Sequence, residues 1–328
     1  MAEPTVSVVI TNHNYDRFLA EAVHSVLEQD YAPLEVVLVD DGSTDCSREL
    51  ISGFGAQVVP VLVEQAGQAG AINAGVARTT GEVVLLLDAD DAFAPGKVPA
   101  LVDWLRAHAS LDRTVLVCHP MTPIDADSTP LGGREPLERR DSLAGNLYEF
   151  ARRNRYLPFA GAPTSGLALT RPLVDQVFPL RTAPDVTHGA DDLIVRASSL
   201  LGEVRWIDEE LGLYRRHGSN AWGRGRPRSE AFHRNQDAYL NDRLRATGRE
   251  PVIDFFSSEY ARTFYLRRGD RRGLAALAAR VVRQDPGMGS LAFAARTLLS
   301  AIAPGAAPAA DRAERARLEQ EASSVAGR

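Results

Sequence analysis

Residues 83–91 read Val83-Val84-Leu85-Leu86-Leu87-Asp88-Ala89-Asp90-Asp91, an unbroken apolar run that ends in a cluster of acids. A strand without polar alternation is one covered on both faces, and such strands belong to mostly parallel sheets with helices above and below. The acidic end is a second signal, because neighbouring carboxylates repel one another unless a cation or hydrogen-bond donors compensate. On an extended segment, Asp88 and Asp90 point the same way, an arrangement that suits a hard divalent cation with positions left open for phosphate oxygens. A lone Asp-x-Asp is equally explained by a solvated turn, and Asp91 is expected to contribute to capping a helix that starts near Pro95.

Working outward, similar apolar runs occupy residues 6–10, 34–39, 58–63 and 114–118. Helical spacing lies between them, with Phe18, Ala22, Val26 and Leu27 on one face and further helices over 70–77 and 98–105. Residues 167–170 and 204–207 add strands, with a helix over 191–201 between them. The alternation predicts an α/β fold, a mostly parallel mixed sheet flanked by helices. Residues 121–145, rich in Pro, Gly, Asp and Arg, read as a long excursion. The chain divides into an α/β domain over 1–225, an Ala/Leu/Arg-rich helical appendage over 226–303 and a flexible tail over 304–328. The apolar face of 291–303 is expected to pack on its own domain, with a membrane surface as the alternative.

Composition narrows the class. The chain has 328 residues, 45% hydrophobic and 24% charged, the balance of a globular protein. A net charge of −6 argues against a nucleic-acid partner. Two cysteines, Cys46 and Cys118, build neither a disulfide framework nor a cysteine-rich zinc site and read as reduced, partly buried thiols. Without a secretory signal or an apolar run of membrane-spanning length, the expectation is a cytoplasmic protein, with the inner face of a membrane as its other address.

In an open parallel sheet, ligands bind beyond the carboxyl ends of the strands. Here those ends carry Thr11-Asn12-His13-Asn14-Tyr15, Asp40-Asp41-Gly42-Ser43-Thr44-Asp45 and Asp88-Ala89-Asp90-Asp91. No Gly-x-Gly-x-x-Gly follows the first strand, and there is no Walker lysine loop, Gly-x-Ser-x-Gly elbow or His-Glu-x-x-His pair.

These motifs, with Gly67 to Gly75 and its Asn73, occur in the order found in family 2 glycosyltransferases of the GT-A fold, which residues 5–220 resemble. The resemblance implies an inverting transfer of sugar from a nucleotide-diphosphate donor, UDP-sugar favoured, to a hydroxyl-bearing acceptor, with Mn²⁺ or Mg²⁺ as cofactor. It implies that Thr11, Asn12 and Asn14, with Asp40 or Asp41, hold the base and ribose. Asn73 would serve the nucleotide side, with Gly67, Gly70 and Gly75 allowing close backbone approach. Asp88 and Ala89 would face the donor, and Asp90 would ligate the metal. Downstream, Gly189-Ala190-Asp191-Asp192 matches the family's acidic pair at a helix start, with Ala190 where a Glu is usual. That departure leaves Asp191 and Asp192 both as candidates for the catalytic base. Tyr214-Arg215-Arg216-His217 matches the last element, with His217 as a third metal ligand, a diphosphate contact or a solvated loop residue. Trp222 and the Gly/Arg-rich run after it would close over the diphosphate or link to the appendage. A sugar nucleotidyltransferase, or an inactive sugar- or nucleotide-binding module, is the competing reading.

Overall fold

Alternate residues of the buried strands enter opposite cores. Val9, Val37, Val39, Val84 and Leu86 join one apolar cluster, while Val8, Ile10, Leu38, Leu85 and Leu87 join the other. This two-sided burial is why the strands read as continuous apolar runs.

A computed structural model of the chain describes residues 2–135, 145–157, 163–182, 189–218, 229–284 and 288–302. The first half contains β1 (Val6–Asn12), α1 (Asp16–Leu27), β2 (Leu34–Asp41), α2 (Ser47–Gly53), β3 (Val59–Val63), α3 (Gly67–Val76), β4 (Val83–Asp88), β5 (Ala92–Phe93) and α4 (Lys97–His108). Then follow β6 (Val115–Cys118), β7 (Thr122–Ile124), α5 (Tyr148–Asn154), β8 (Leu167–Thr170), α6 (Arg171–Val177), α7 (Ala190–Leu201), β9 (Glu203–Trp206) and β10 (Gly212–Arg215). Helices α8 (Glu230–Ala246), α9 (Glu259–Arg267), α10 (Arg271–Gln284) and α11 (Met288–Ile302) complete the described elements.

Among the described residues, the main sheet runs β3-β2-β1-β4-β8-β6-β9 and a small sheet runs β5-β10-β7. Strand β8 pairs antiparallel with both β4 and β6, while the other pairs of the main sheet are parallel. The carboxyl ends of β1, β2 and β4 therefore share one edge, and the amino end of β8 joins them there. Helices α3, α6 and α7 cover one face, and α1 and α4 cover the other. The mixed, mostly parallel α/β architecture is the one expected.

The C-terminal part differs in detail. Helix α8, expected within the appendage, sends Phe232, Tyr239, Leu240 and Leu244 into the first of the two main clusters. A third cluster gathers Phe255, Phe256, Tyr265, Leu274, Leu277 and Phe293 from the later helices, with Tyr156 joining it. Helix α11 packs Phe293, Ala294 and Thr297 inward and leaves Leu291, Leu298 and Leu299 exposed. Among the described residues, no helix is long and apolar enough to cross a membrane. Cys118 is buried, but Cys46 is exposed rather than partly buried. Trp222, the surrounding Gly/Arg run and the 304–328 tail lie outside the described residues.

Gly75 of α3 serves packing. A Cβ on Gly75 would lie 2.3 Å from Val9 Cγ1 and 2.9 Å from Val39 Cγ2, so the helix rests directly on β1 and β2. The close approach expected toward a nucleotide is, at this glycine, an approach to the sheet. Gly75→Ala is expected to destabilise the fold by about 1–3 kcal/mol, the usual cost of an extra carbon in a filled core. Urea unfolding checks this; an unchanged midpoint would contradict so tight a helix–sheet contact.

Candidate active site

Register decides which side chains meet at the carboxyl edge. Asn12 pairs across from Asp40, and Thr11 from Asp88. The Thr11 hydroxyl donates to Asp88 Oδ1 at 3.2 Å, while Asn12 Nδ2 donates to Asp40 Oδ1 at 3.2 Å and Ser43 Oγ at 3.1 Å. The structure thus joins the first three polar motifs along a single rim.

The two loops beyond β1 and β2 are clipped together. Asn14 adopts a left-handed backbone with φ 59°, a conformation asparagine tolerates better than most residues. Its N–H donates to Ser43 Oγ at 3.0 Å and its Oδ1 accepts the Thr44 N–H at 2.7 Å. Asp45 Oδ2 accepts the Asp16 N–H at 3.0 Å, and Asp16 Oδ2 returns the arrangement by accepting the Cys46 N–H at 3.3 Å. Asp40 is enclosed, receiving Arg48 Nε at 2.8 Å and the Ser43 N–H at 3.2 Å. Burial alone would raise its pKa, but the hydrogen bonds from Ser43, Arg48 and Asn12 win and hold the carboxyl below the usual range. Beside it, Asp41 Oδ1 accepts the Ala66 N–H at 2.6 Å.

The acidic run after β4 is not the extended segment anticipated. Ala89 and Asp90 turn, and the Asp91 N–H donates back to the Asp88 carbonyl at 2.9 Å. The turn brings Asp90 Oδ2 to His217 Nε2 at 3.0 Å. Asp91 does not cap the following helix, whose cap position is Gly96. It instead accepts the Ser165 hydroxyl at 2.7 Å and the Arg215 N–H at 2.9 Å. Loss of surrounding water, then the charges of Asp90 and Asp191, push the Asp88 carboxyl up to about 7 against opposing hydrogen bonds from Thr11 and Thr164. Asp91 is raised by burial and then by the same neighbours, Asp90 and Asp88.

His217 is held between aromatic rings, Tyr15 edge-on at 5.5 Å and Phe18 at 5.1 Å between centroids. Two residues earlier, the Arg215 guanidinium is 1% exposed and paired with Glu21 at 2.7 Å. Its Nε donates to the Asp90 carbonyl at 2.8 Å, and Nη1 reaches the Asp125 carbonyl and Ser128 Oγ at 3.1 and 2.9 Å. Arg215 therefore ties β10 to the Asp88–Asp91 turn and fixes where His217 emerges.

The first turn of α7 separates the two remaining acids. Both Asp192 oxygens accept Arg196 Nε at 2.9 Å, and Oδ2 also accepts Gln236 Nε2 at 2.7 Å. Arg196 is completed by the Leu157 carbonyl at 2.5 Å and the Tyr156 hydroxyl at 3.1 Å. Asp192 is thus enclosed between α7 and α8. Asp191 accepts the Asp192 N–H at 2.8 Å, and its charge acts on Asp88 across the cleft.

Asn73 is the sequence candidate that stands apart. Its amide donates to the Leu180 carbonyl at 2.8 Å and accepts the Leu180 N–H at 2.7 Å, so both ends hold the chain after α6 rather than facing a nucleotide. Conversely, several residues that hold the rim carried little sequence signal. Ser165 stands between an excursion and a short strand, yet its hydroxyl oxygen accepts the Asp88 N–H at 3.0 Å. The buried Lys97 ammonium donates to the Ser165 carbonyl at 2.7 Å and stacks on Phe93. Gln68 lay inside the quoted glycine run without a role. Arg215 lay inside a quoted motif, where its position was visible and its function was not.

Residues 7–154 match the model of glycosyl transferase family 2. An uncharacterized glycosyltransferase of Nostoc sp. (strain PCC 7120) is 33% identical over 277 residues, covering 80% of this chain and 83% of that protein. The chain belongs to glycosyltransferase family 2. Glycosyltransferase GlyG of Streptococcus pneumoniae is 36% identical over 100 residues, 29% of this chain and 33% of GlyG. Among solved structures, S. aureus TarS (residues 1–349), in complex with UDP-GlcNAc, shares the fold with a TM-score of 0.54 over 90% of each chain at 14% identity. This family 2 enzyme therefore has the GT-A fold and is a glycosyltransferase. The nucleotidyltransferase reading falls away.

In this transferase, Asp192→Ala is expected to cost about 3–5 kcal/mol, since it leaves the buried Arg196 charge uncompensated. Denaturant unfolding measures it, and a loss no larger than that of an exposed ion pair would contradict the enclosed geometry.

Proposed function

We propose that the enzyme is a metal-dependent inverting glycosyltransferase, with UDP-sugar the donor favoured, Asp191 the general base and Asp90 with His217 at the metal. The observation that carries this is the joining of the Asp88 strand end to the start of the helix bearing Asp191 through Gln68, with His217 3.0 Å from Asp90 beside them.

The donor side follows from the rim. Asp40 is enclosed by Asn12, Ser43 and Arg48, so we assign the base contact to Asp41, with Thr11 and Asn12 beneath the ribose. A carboxylate there accepts the ring imide N–H of uracil, which cytosine lacks. The UDP-GlcNAc complex of TarS supports testing UDP-sugars first.

The residues also fit a divalent ion. Among the described residues, no three metal-ligating side chains are already gathered around one point. The donor set is nevertheless apt, because mutually repelling carboxylates and an imidazole 3.0 Å from Asp90 gain from a shared cation. When bound, the ion would offset negative charge developing on the leaving diphosphate. Asp90 and His217 would hold it, Tyr15 and Phe18 would keep the imidazole in place, and Asp88 would orient the donor. Asp191 takes the proton from the acceptor hydroxyl as that oxygen attacks the anomeric carbon from the side opposite the diphosphate. A single displacement of this kind inverts the centre.

Asp191→Asn should lower kcat by about 10²–10⁴-fold, the scale of a lost general base, with UDP affinity unchanged. Steady-state kinetics and calorimetry test this; a normal rate for Asp191→Asn with a collapsed rate for Asp192→Asn would place the base one residue later. Asp90→Ala should abolish the manganese-dependent part of UDP binding. Titrations with and without chelator measure it, and retained dependence would reject the assigned metal position.

A further inference from the structure

Helix α7 carries the proposed base in its first turn, yet its cap residue is Gly189, which has no side chain to receive the unpaired N–H groups at the helix start. The acceptor comes from another element. Gln68, in the first turn of α3, presents Oε1 to the Gly189 N–H at 3.2 Å and the Ala190 N–H at 3.3 Å. Backbone N–H groups only donate, so these contacts fix which end of the amide faces the helix. The other end, Nε2, donates to Thr164 Oγ1 at 3.1 Å and lies 3.5 Å from Asp88 Oδ1. One side chain therefore links the start of the helix bearing Asp191 to the strand end bearing Asp88.

We infer that Gln68 is a positioning residue for transfer: it caps α7 from outside and sets the separation between the proton-accepting Asp191 and the donor-binding edge at Asp88. The inference rests on the reading of Asp191 as the base. Gly189 has φ 95°, a left-handed conformation natural to glycine, so the turn into α7 dispenses with a capping side chain of its own. Helix α3 is in turn seated on the sheet through Gly75, which gives Gln68 a rigid base from which to reach. Asp191 itself accepts the neighbouring Asp192 N–H at 2.8 Å. Without Gln68, the N–H groups of Gly189 and Ala190 lose this acceptor, and the first turn is freer to shift by the distances that govern proton transfer.

The test uses the full-length enzyme with Gln68→Met, which keeps volume and removes polarity, and Gln68→Glu, which keeps an acceptor for the helix. Gln68→Met is expected to lower kcat by about 10–10²-fold, the scale of a small misplacement of reacting groups, with the UDP dissociation constant unchanged. Amide hydrogen exchange in the peptide spanning Gly189 and Ala190 should quicken. Gln68→Glu should restore slow exchange there but keep kcat low, because a carboxylate cannot donate toward Thr164 and Asp88 as the amide does. A wild-type kcat in Gln68→Met would overturn the inference, as would a fall in kcat matched by an equal loss of UDP affinity. So would full recovery of rate in Gln68→Glu, since its carboxylate cannot supply the link toward Asp88. Failure of the underlying assignment looks different: Asp191→Asn would turn over normally, while protection at Gly189 and Ala190 would still depend on Gln68.

Discussion

Carboxylates crowded at one edge of a parallel sheet repel each other, and much of this enzyme's polar architecture answers that repulsion. Asp40 is satisfied internally by Arg48, Ser43 and Asn12. Asp192 is satisfied by Arg196 and Gln236 on the far side of α7. Asp91 is placed between Ser165 and the Arg215 backbone. Asp88 takes the Thr11 hydroxyl and Asp90 meets His217, and the upward push on Asp88 comes first from burial and then from the charges of Asp90 and Asp191. On the proposed reading, a shared cation would offset what remains of this repulsion when an anionic donor is bound.

The fold was readable because its strands are buried on both faces. Runs such as Val83 to Leu87 have no polar interruption, and the residues that end them mark the rim on which the site is built. Local chemistry was less readable. The turn at Ala89 and Asp90 depends on contacts from the segment just before β8 and from β10, which arrive some 75 to 125 residues later, as the separations of Ser165 and Arg215 from Asp91 show. An acidic dipeptide at a helix start gives no hint of which acid turns inward; Arg196, one turn along, and Gln236, on another helix, decide it. Asn73 shows the reverse. Its place in a motif suggested a ligand contact, whereas tertiary packing had already engaged both ends of its amide.

Several of the deciding contacts share a form. A polar side chain on one element completes the backbone of another: Gln68 for α7, Ser165 for the end of β4, Arg215 for the turn after it. Each removes an unpaired buried group and, in doing so, fixes the relative placement of two segments. Such bridges have no sequence period, so periodicity cannot find them.

The reversed direction of β8 has a consequence for how this enzyme could diversify. Strand β6 leaves the sheet at the reactive rim and β8 re-enters at the same rim, with Thr164 and Ser165 at its threshold. Chain inserted between those two crossings begins and finishes beside the cleft. Change within it is constrained by β7, which pairs with β10, and by Gly145, which bridges to Val204 on β9. The topology thus leaves room for divergence only where that chain is not itself woven into a sheet.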